Sequence, residues 1–149
     1  MLNYNLDKER KIFVYGSLME GFFNHKKYLE GKTLSLEKGT IKGRLYDMPH
    51  KGYPAVLQGD DVIYGELFTI RDFKSNLESM DKMEHYYGLD NPKNEYNRII
   101  VPVTLDSGEI EEAYMYFYTL NDPEVFNEKS IYIPYGDWRK RQQPTTLKG

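Results

Sequence analysis

Two carboxylates near the end of a predicted helix are the side chains best placed for acid–base chemistry. The helix covers residues 73 to about 86, and four of its residues follow the i, i+3, i+4, i+7 spacing of one face: Leu77, Met80, Asp81 and Glu84. This face begins with apolar residues that should pack on the core and ends with two acids, so the two carboxylates should point toward the same side of the helix as the core. Burial there raises a carboxylate pKa toward the range that a proton shuttle needs near neutral pH. The alternative is that Asp81 and Glu84 are solvated in a charged helix end.

A short apolar strand stops at a turn of small residues. Residues 12–15 read as the strand, and Gly16-Ser17 follows directly. Backbone N–H groups without ladder partners can converge on an anion at such a turn, and the Ser17 hydroxyl can donate or accept a hydrogen bond. The pattern is compatible with a carboxylate cradle at the end of the first strand, but Gly and Ser are ordinary turn residues, and these residues alone favour a tight turn.

The other residue types that commonly serve in active sites exclude several classes of catalytic and metal sites. The chain has no cysteine, which excludes disulfides, a thiolate zinc site and a cysteine nucleophile. Its three histidines lie in separate segments without metal-ligand spacing, and Ser17 lacks the Gly-x-Ser-x-Gly context of a serine hydrolase. We therefore expect no metal site. Glu66, inside an apolar strand, is expected to be a structural acceptor for a tyrosine hydroxyl or a backbone N–H.

Composition predicts a single soluble domain. The chain has 149 residues and a formal net charge of -3, so general affinity for nucleic acid is not expected. Residues 1–10 are polar and unlike a signal peptide, and no run is long enough to span a membrane. We expect a cytoplasmic protein with a small-molecule partner. A loose polar tail is predicted from about residue 139, with Arg139-Lys140-Arg141 solvated.

Strands dominate the predicted order of elements. A bent or bulged strand is predicted within residues 33–48, and a central strand over residues 62–70 follows a turn at 59–61. Asp72 is predicted to cap the second helix. Alternating residues and a turn at 106–108 predict a hairpin of two strands, with Pro102 at an edge or bulge. Residues 131–135 read as a last strand or an extended segment. The class is α+β, with a bent mixed sheet and two main helices.

Several motifs in a fixed order resemble the gamma-glutamylcyclotransferase-like family. They cover about residues 12 to 118, and the match is looser at residues 18–21 and after 119. The motifs are Val14-Tyr15-Gly16-Ser17-Leu18, Gly43-Arg44-Leu45-Tyr46, Tyr53-Pro54-Ala55, Val62-Ile63-Tyr64-Gly65-Glu66-Leu67-Phe68, Met80-Asp81-Lys82-Met83-Glu84-His85-Tyr86, Tyr96-Asn97-Arg98 and Ala113-Tyr114-Met115-Tyr116.

The resemblance implies a fold and a set of site residues. The fold would be a bent mixed sheet partly closed into a small barrel, with a pocket at the end of the first strand. The resemblance implies that Glu84 is the acid–base residue and that a late-strand tyrosine borders the pocket, Tyr116 being the nearer match and Tyr114 the other candidate. The segment implied to hold the alpha end of a gamma-glutamyl group consists of Tyr15, Gly16, Ser17 and Leu18.

The implied reaction is an intramolecular cyclisation. The alpha-amine of a gamma-glutamyl compound would attack its own gamma-carbonyl and release 5-oxoproline with a free amine or amino acid, without a cofactor. Such an enzyme is an acyltransferase or lyase in type. The alternative from another class is a non-catalytic small-molecule or protein-binding module on the same fold.

Overall fold

Residues 8–140 are described by a computed structural model of the chain. These residues form six strands and three short α-helices, followed by one turn of 3-10 helix. The strands are β1 (Lys11–Val14), β2 (Thr33–Met48), β3 (Tyr53–Ile70), β4 (Tyr96–Leu105), β5 (Ile110–Tyr118) and β6 (Ile131–Ile133). The helices are α1 (Phe23–Tyr28), α2 (Phe73–Met83) and α3 (Pro123–Lys129), and the 3-10 turn is Trp138–Lys140. Along the chain the order is β1-α1-β2-β3-α2-β4-β5-α3-β6.

Five strands close into a barrel. The order is β3-β1-β5-β4-β2, and β2 pairs again with β3, so the sheet closes on itself while β6 adds to β2. The β1–β5 pair is parallel and the other pairs are antiparallel. A closed mixed sheet has no free edge along its five strands. The predicted α+β class, with a bent mixed sheet closing into a small barrel, is confirmed.

Bulges let two long strands curve around the barrel. β2 has 16 residues and β3 has 18, and their register shifts between Gly43 and Arg44. The bulged strand predicted over residues 33–48 is therefore confirmed. The turn predicted at residues 59–61 is wrong, because this segment is a bulge inside β3. Gly59 is required there, since a Cβ would overlap the Arg44 side chain.

Large apolar side chains are buried on both faces of the barrel sheet, some inside the barrel and some beneath the helices. Alternate residues of each strand point inward, as the period of a strand requires. The largest fully buried side chains include Phe13, Leu45, Ile63, Phe68, Tyr114 and Tyr118. Leu77 and Met80 of α2 are also buried, so this helix packs its apolar face on the barrel. The packing of α2 places the residue that follows it, Glu84, at the end of the barrel where β1 stops.

Three details differ from the sequence-based expectations. Asp72 precedes α2, but its φ of 46° is left-handed and its side chain makes no capping hydrogen bond. The sequence pattern did not predict α3, although Asp122 and Pro123 form an ordinary helix start. Arg139 was expected to begin a loose tail, yet its guanidinium is held by two hydrogen bonds. The rest of that predicted tail, from residue 141, lies outside the described residues.

Within residues 8–140, no helix is both long and apolar enough to cross a membrane.

Candidate active site

A small pocket of about 90 Å³ opens where β1 ends. Its walls come from the β1–α1 loop, the end of α2 and strands β3, β4 and β5. Six lining residues are those that the sequence analysis singled out: Tyr15, Gly16, Ser17, Leu18, Glu84 and Tyr116. The fold thus brings together segments that lie about seventy and one hundred residues apart in the chain.

The β1–α1 loop presents unpaired N–H groups to this pocket. The N–H groups of Gly16, Ser17 and Leu18 donate to no acceptor within residues 8–140. Their carbonyls are all engaged, by the N–H of Met19 (2.9 Å), the N–H of His25 (3.1 Å) and the His25 ring Nδ1 (3.0 Å). A carbonyl can only accept, so this Nδ1 carries the hydrogen. The loop therefore keeps its acceptors occupied and its donors available to an anion. We call these three N–H groups the amide cradle.

Neighbouring side chains restrict which residues can occupy the cradle positions. A Cβ on Gly16 would overlap Cγ of Pro54, so only glycine fits against β3 at this position. The Ser17 hydroxyl oxygen accepts a hydrogen bond from Nδ2 of Asn24 at 2.7 Å. The hydroxyl hydrogen remains available to a ligand.

Glu84 lies at the C-terminal end of α2 and faces the same pocket. Its N–H donates to the carbonyl of Met80 at 2.9 Å, which fixes its backbone as the last turn of the helix. The residue is half-buried, and its carboxyl makes no hydrogen bond or ion pair within residues 8–140. Burial raises the pKa of Glu84 to about 8, and the negative charges of Glu95 and Asp81 add to the rise.

Asp81 belongs to a different environment. Its carboxylate accepts hydrogen bonds from Arg98 Nε (3.0 Å) and Nη2 (3.3 Å), and from the Tyr116 hydroxyl (2.7 Å). Arg98 is almost fully buried. Because it donates two hydrogen bonds to the Asp81 carboxylate, the geometry of the ion pair is fixed. Asp81 thus anchors α2 to β4 and β5, whereas Glu84 is left free in the pocket.

A second acid, Glu95, lines the pocket and was not identified from the sequence. One of its oxygens accepts from the Tyr53 hydroxyl (2.6 Å) and from Lys51 Nζ (2.7 Å). Lys51 also lies 3.7 Å from a carboxylate oxygen of Asp122. Burial raises the pKa of the Tyr53 hydroxyl, and the Glu95 charge raises it further. Glu95 directly precedes one of the motifs above and Tyr53 begins another, but nothing in the local pattern marked either as a pocket residue.

Tyrosine hydroxyls tie the pocket walls together. The Tyr15 hydroxyl donates to the carbonyl of Tyr116 at 2.6 Å, and the Tyr96 hydroxyl donates to the carbonyl of Pro54 at 2.6 Å. Both rings are buried, and burial raises the pKa of each hydroxyl well above its ordinary value. Both therefore stay neutral and serve as donors at physiological pH.

Tyr114 and Glu66 lie away from the pocket. Of the two tyrosine candidates, Tyr116 lines the pocket, while the Tyr114 hydroxyl accepts from Arg10 on another side of the barrel. Glu66 accepts the backbone N–H of Glu20 at 2.7 Å, one of the two structural roles expected for it. Residues 8–140 contain no group of three or more His, Asp or Glu side chains that could hold a metal ion.

Comparisons with known proteins agree with this fold and its motifs. The structure resembles an AIG2-like protein from Mus musculus, with a TM-score of 0.67, 19% identity and 90% of each chain covered. It also resembles YkqA from Bacillus subtilis, with a TM-score of 0.63 and 24% identity. That match covers 93% of this chain and 42% of the longer YkqA chain. At these identities the likeness shows the fold, which is that of the AIG2-like proteins.

Comparison of the sequence with known families and proteins identifies the family as well as the fold. Residues 12–140 match the family described as gamma-glutamyl cyclotransferase, AIG2-like. The chain is also 34% identical over 129 residues to the gamma-L-glutamyl-butirosin B gamma-glutamyl cyclotransferase of Niallia circulans. This match covers 87% of the chain and 75% of that protein. The chain belongs to the AIG2-like gamma-glutamyl cyclotransferase family, and its function at that level is that of a gamma-glutamyl cyclotransferase.

Proposed function

We propose that the protein cyclises a gamma-glutamyl compound to 5-oxoproline and releases a free amine or amino acid, with Glu84 as the acid–base residue. The alpha-amine of the substrate attacks its own gamma-carbonyl, so nucleophile and electrophile belong to one molecule. The chain's task is to hold the reactive rotamer and to move protons. Holding two groups in attack geometry can lower a barrier by roughly 7–11 kcal/mol. No cofactor is needed for these steps.

The amide cradle supports the substrate-binding part of this proposal. The N–H groups of Gly16, Ser17 and Leu18 are free donors beside a pocket, and a carboxylate is the anion they suit. In the proposed complex they bind the alpha-carboxylate of the gamma-glutamyl group. The Ser17 hydroxyl adds a further donor. This places the adjacent alpha-ammonium group within the pocket that Glu84 lines.

The proton transfers follow from the state of Glu84. As a carboxylate, Glu84 takes one proton from the alpha-ammonium, and the freed amine attacks the gamma-carbonyl carbon. The new C–N bond closes a five-membered ring. The bond to the leaving nitrogen then breaks as that nitrogen receives the proton held by Glu84. Glu84, again a carboxylate, takes the second proton from the ring nitrogen and passes it to the departing amine, which leaves as an ammonium ion. Two protons leave the alpha-nitrogen and two reach the departing amine, so the reaction balances without another reagent.

The environment of Glu84 carries the proposal. Glu84 is an acid without a partner in residues 8–140, it lines the same pocket as the amide cradle, and its pKa is raised to about 8. A group whose pKa lies near the working pH is suited both to take a proton from the alpha-ammonium and to return it to the leaving nitrogen. An acid with an ordinary pKa would be a weaker base for this step.

Release of 5-oxoproline from a panel of gamma-glutamyl donors tests the proposal. The panel contains gamma-glutamyl amino acids, gamma-glutamylamines, glutathione and gamma-L-glutamyl-butirosin B, the compound that names the Niallia circulans relative. We expect wild-type protein to release 5-oxoproline from at least one donor and Glu84→Gln to release none above background. Glutamine keeps the shape of the side chain but cannot carry the proton.

The control is Glu78→Gln on the same helix. Glu78 is exposed and lies outside the pocket, so its replacement changes the same atoms without touching the site. We expect this variant to retain wild-type activity. Retention of most activity by Glu84→Gln, with both variants folded by circular dichroism, would refute the assignment of Glu84. Absence of release from every donor would favour a binding module on the same fold.

A further inference from the structure

The segment after β6 returns to the loop that carries the amide cradle. The carbonyl of Gly136 accepts the N–H of Tyr64 in β3 at 2.8 Å, which fixes the segment to the barrel. The 3-10 turn Trp138–Lys140 follows, and Asp137 Oδ1 accepts the N–H of Arg139 at 3.0 Å. These contacts set the backbone from which the Arg139 side chain extends.

The Arg139 guanidinium contacts residues that directly follow the cradle. Its Nη2 donates to the carbonyl of Glu20 (2.9 Å) and to Oε2 of Glu66 (3.0 Å). The guanidinium also lies over the Phe22 ring, 4.8 Å from its centre, and the Trp138 ring packs against the same ring at 5.2 Å. One side chain thus makes a hydrogen bond and a cation–π contact to the loop, and a charge-assisted hydrogen bond to Glu66 of β3.

Glu66 completes this connection from the barrel side. It lies in β3 opposite Val14, the last residue of β1, and it is buried. Its Oε1 accepts the N–H of Glu20 at 2.7 Å, while Oε2 pairs with Arg139. A buried carboxylate that loses its cation becomes an uncompensated charge, so the two groups depend on each other.

The C-terminal end of the β1–α1 loop is held by the Arg139–Glu66 pair. Glu20 is held at its N–H by Glu66 and at its carbonyl by Arg139. The N-terminal end of the loop is held separately, because the Tyr15 hydroxyl donates a hydrogen bond to the carbonyl of Tyr116. Residues 16–18, which form the amide cradle, lie between these two supports. A shift at Glu20 would therefore move the cradle, while Glu84 on α2 would keep its place.

We infer that Arg139 is a positioning residue for the amide cradle and, through it, for binding of an anionic group in the pocket. The kinetic consequence rests on the proposed function, in which the cradle binds the substrate carboxylate. Such binding is equal in the ground state and the transition state, so its loss raises KM and leaves kcat unchanged. Arg139 touches neither the pocket nor the reacting atoms.

The kinetic test compares Arg139→Ala with Lys140→Ala, the neighbouring residue in the same 3-10 turn. Both changes remove one positive charge, but the exposed Lys140 side chain makes no hydrogen bond or ion pair within residues 8–140. We expect the KM of Arg139→Ala to rise about tenfold with kcat within about twofold of wild type. Lys140→Ala should keep the wild-type KM. Equal effects in both variants would overturn the inference.

Chemical rescue separates positioning from general loss of stability. Arg139 is partly exposed, so added guanidinium at non-denaturing concentration can reach the space left by Arg139→Ala. We expect guanidinium to restore the KM of this variant toward wild type and to have no such effect on Lys140→Ala. Arg139→Lys, which keeps the charge but not the forked donor, should give an intermediate KM and serves if the alanine variant folds poorly.

A measurement independent of activity completes the test. Hydrogen exchange of a peptide covering residues 15–22 reports the hydrogen-bonded N–H groups of Met19, Glu20 and Phe22. We expect faster exchange of this peptide in Arg139→Ala and wild-type exchange in Lys140→Ala. Unchanged exchange in Arg139→Ala would overturn the inference. If the wild-type protein released no 5-oxoproline, the proposed function would fail, while the exchange result would still decide the role of Arg139.

Discussion

Replacement of Glu84 by glutamine should make the stability of the protein depend less on pH. The folded protein raises the pKa of Glu84 from the ordinary 4.5 to about 8, chiefly by burial. A raised pKa means that the folded state binds this proton more tightly than the unfolded state does. The stabilisation associated with the bound proton is fully present below pH 4.5 and is lost as pH rises toward 8. Glutamine has no proton to lose and does not show this change.

The magnitude follows from the two pKa values. Each pKa unit corresponds to about 1.4 kcal/mol, so the unfolding free energy of Glu84→Gln should rise relative to wild type by about 1.4 kcal/mol per pH unit between pH 5 and 7.5. At pH 7 wild type has then lost roughly 3.4 kcal/mol of this stabilisation, because the unfolded chain has already released the proton that the folded protein still holds. Packing differences between the two side chains shift the whole curve but do not change its slope.

Urea unfolding at several pH values between 4.5 and 8.5 measures this difference. Equal m-values for wild type and Glu84→Gln at each pH would show that the same surface is exposed on unfolding. Glu78→Gln supplies the baseline for loss of one exposed carboxylate from the same helix. A difference between Glu84→Gln and wild type that stays constant with pH, or that falls as pH rises, would refute the raised pKa and the proton-shuttle argument with it.

Three further predictions concern the pocket. First, kcat/KM should rise about tenfold per pH unit below pH 8 and level off above it, because Glu84 acts as a base and its pKa is about 8; a pH–rate profile that is flat from pH 6 to 8 would contradict this. Second, Glu95→Gln should move the inflection of that profile to lower pH, since it removes a negative charge that raises the pKa of Glu84; an unchanged or higher inflection would exclude the coupling. Third, Gly16→Ala should lower the unfolding free energy by about 1–3 kcal/mol and raise KM, because its Cβ would overlap Pro54 and displace the loop; calorimetry and steady-state kinetics test both effects.

Local pattern was sufficient for most of the elements. Alternation over residues 99–105 predicted β4, and the apolar face of Leu77 and Met80 predicted α2 and the direction of its packing. Pro102 fits its expected edge position, because β4 pairs only with β5 at that residue. These features depend on neighbours within a few residues, which a sequence shows directly. The barrel itself followed from the family motifs rather than from periodicity.

The local sequence pattern could not show contacts between residues far apart in the chain. The continuity of β3 through residues 59–61 depends on its register with β2, since Gly and Asp residues there read locally as a turn. Arg139 was expected in a loose tail because its neighbours in the chain are polar. Its partners, Glu20 and Glu66, lie 119 and 73 residues earlier. No local signal marks such a contact.

The choice between Asp81 and Glu84 shows why the site needed the structure. Both acids lie on one predicted face three residues apart, and burial would raise the pKa of either. Arg98 and Tyr116 come 17 and 35 residues after Asp81, and both donate hydrogen bonds to its carboxylate. Glu84 has no such donor within residues 8–140, so its negative charge is opposed by burial and by two nearby carboxylates. Of two acids with the same local pattern, the fold assigns one to an ion pair and leaves the other able to exchange a proton near neutral pH.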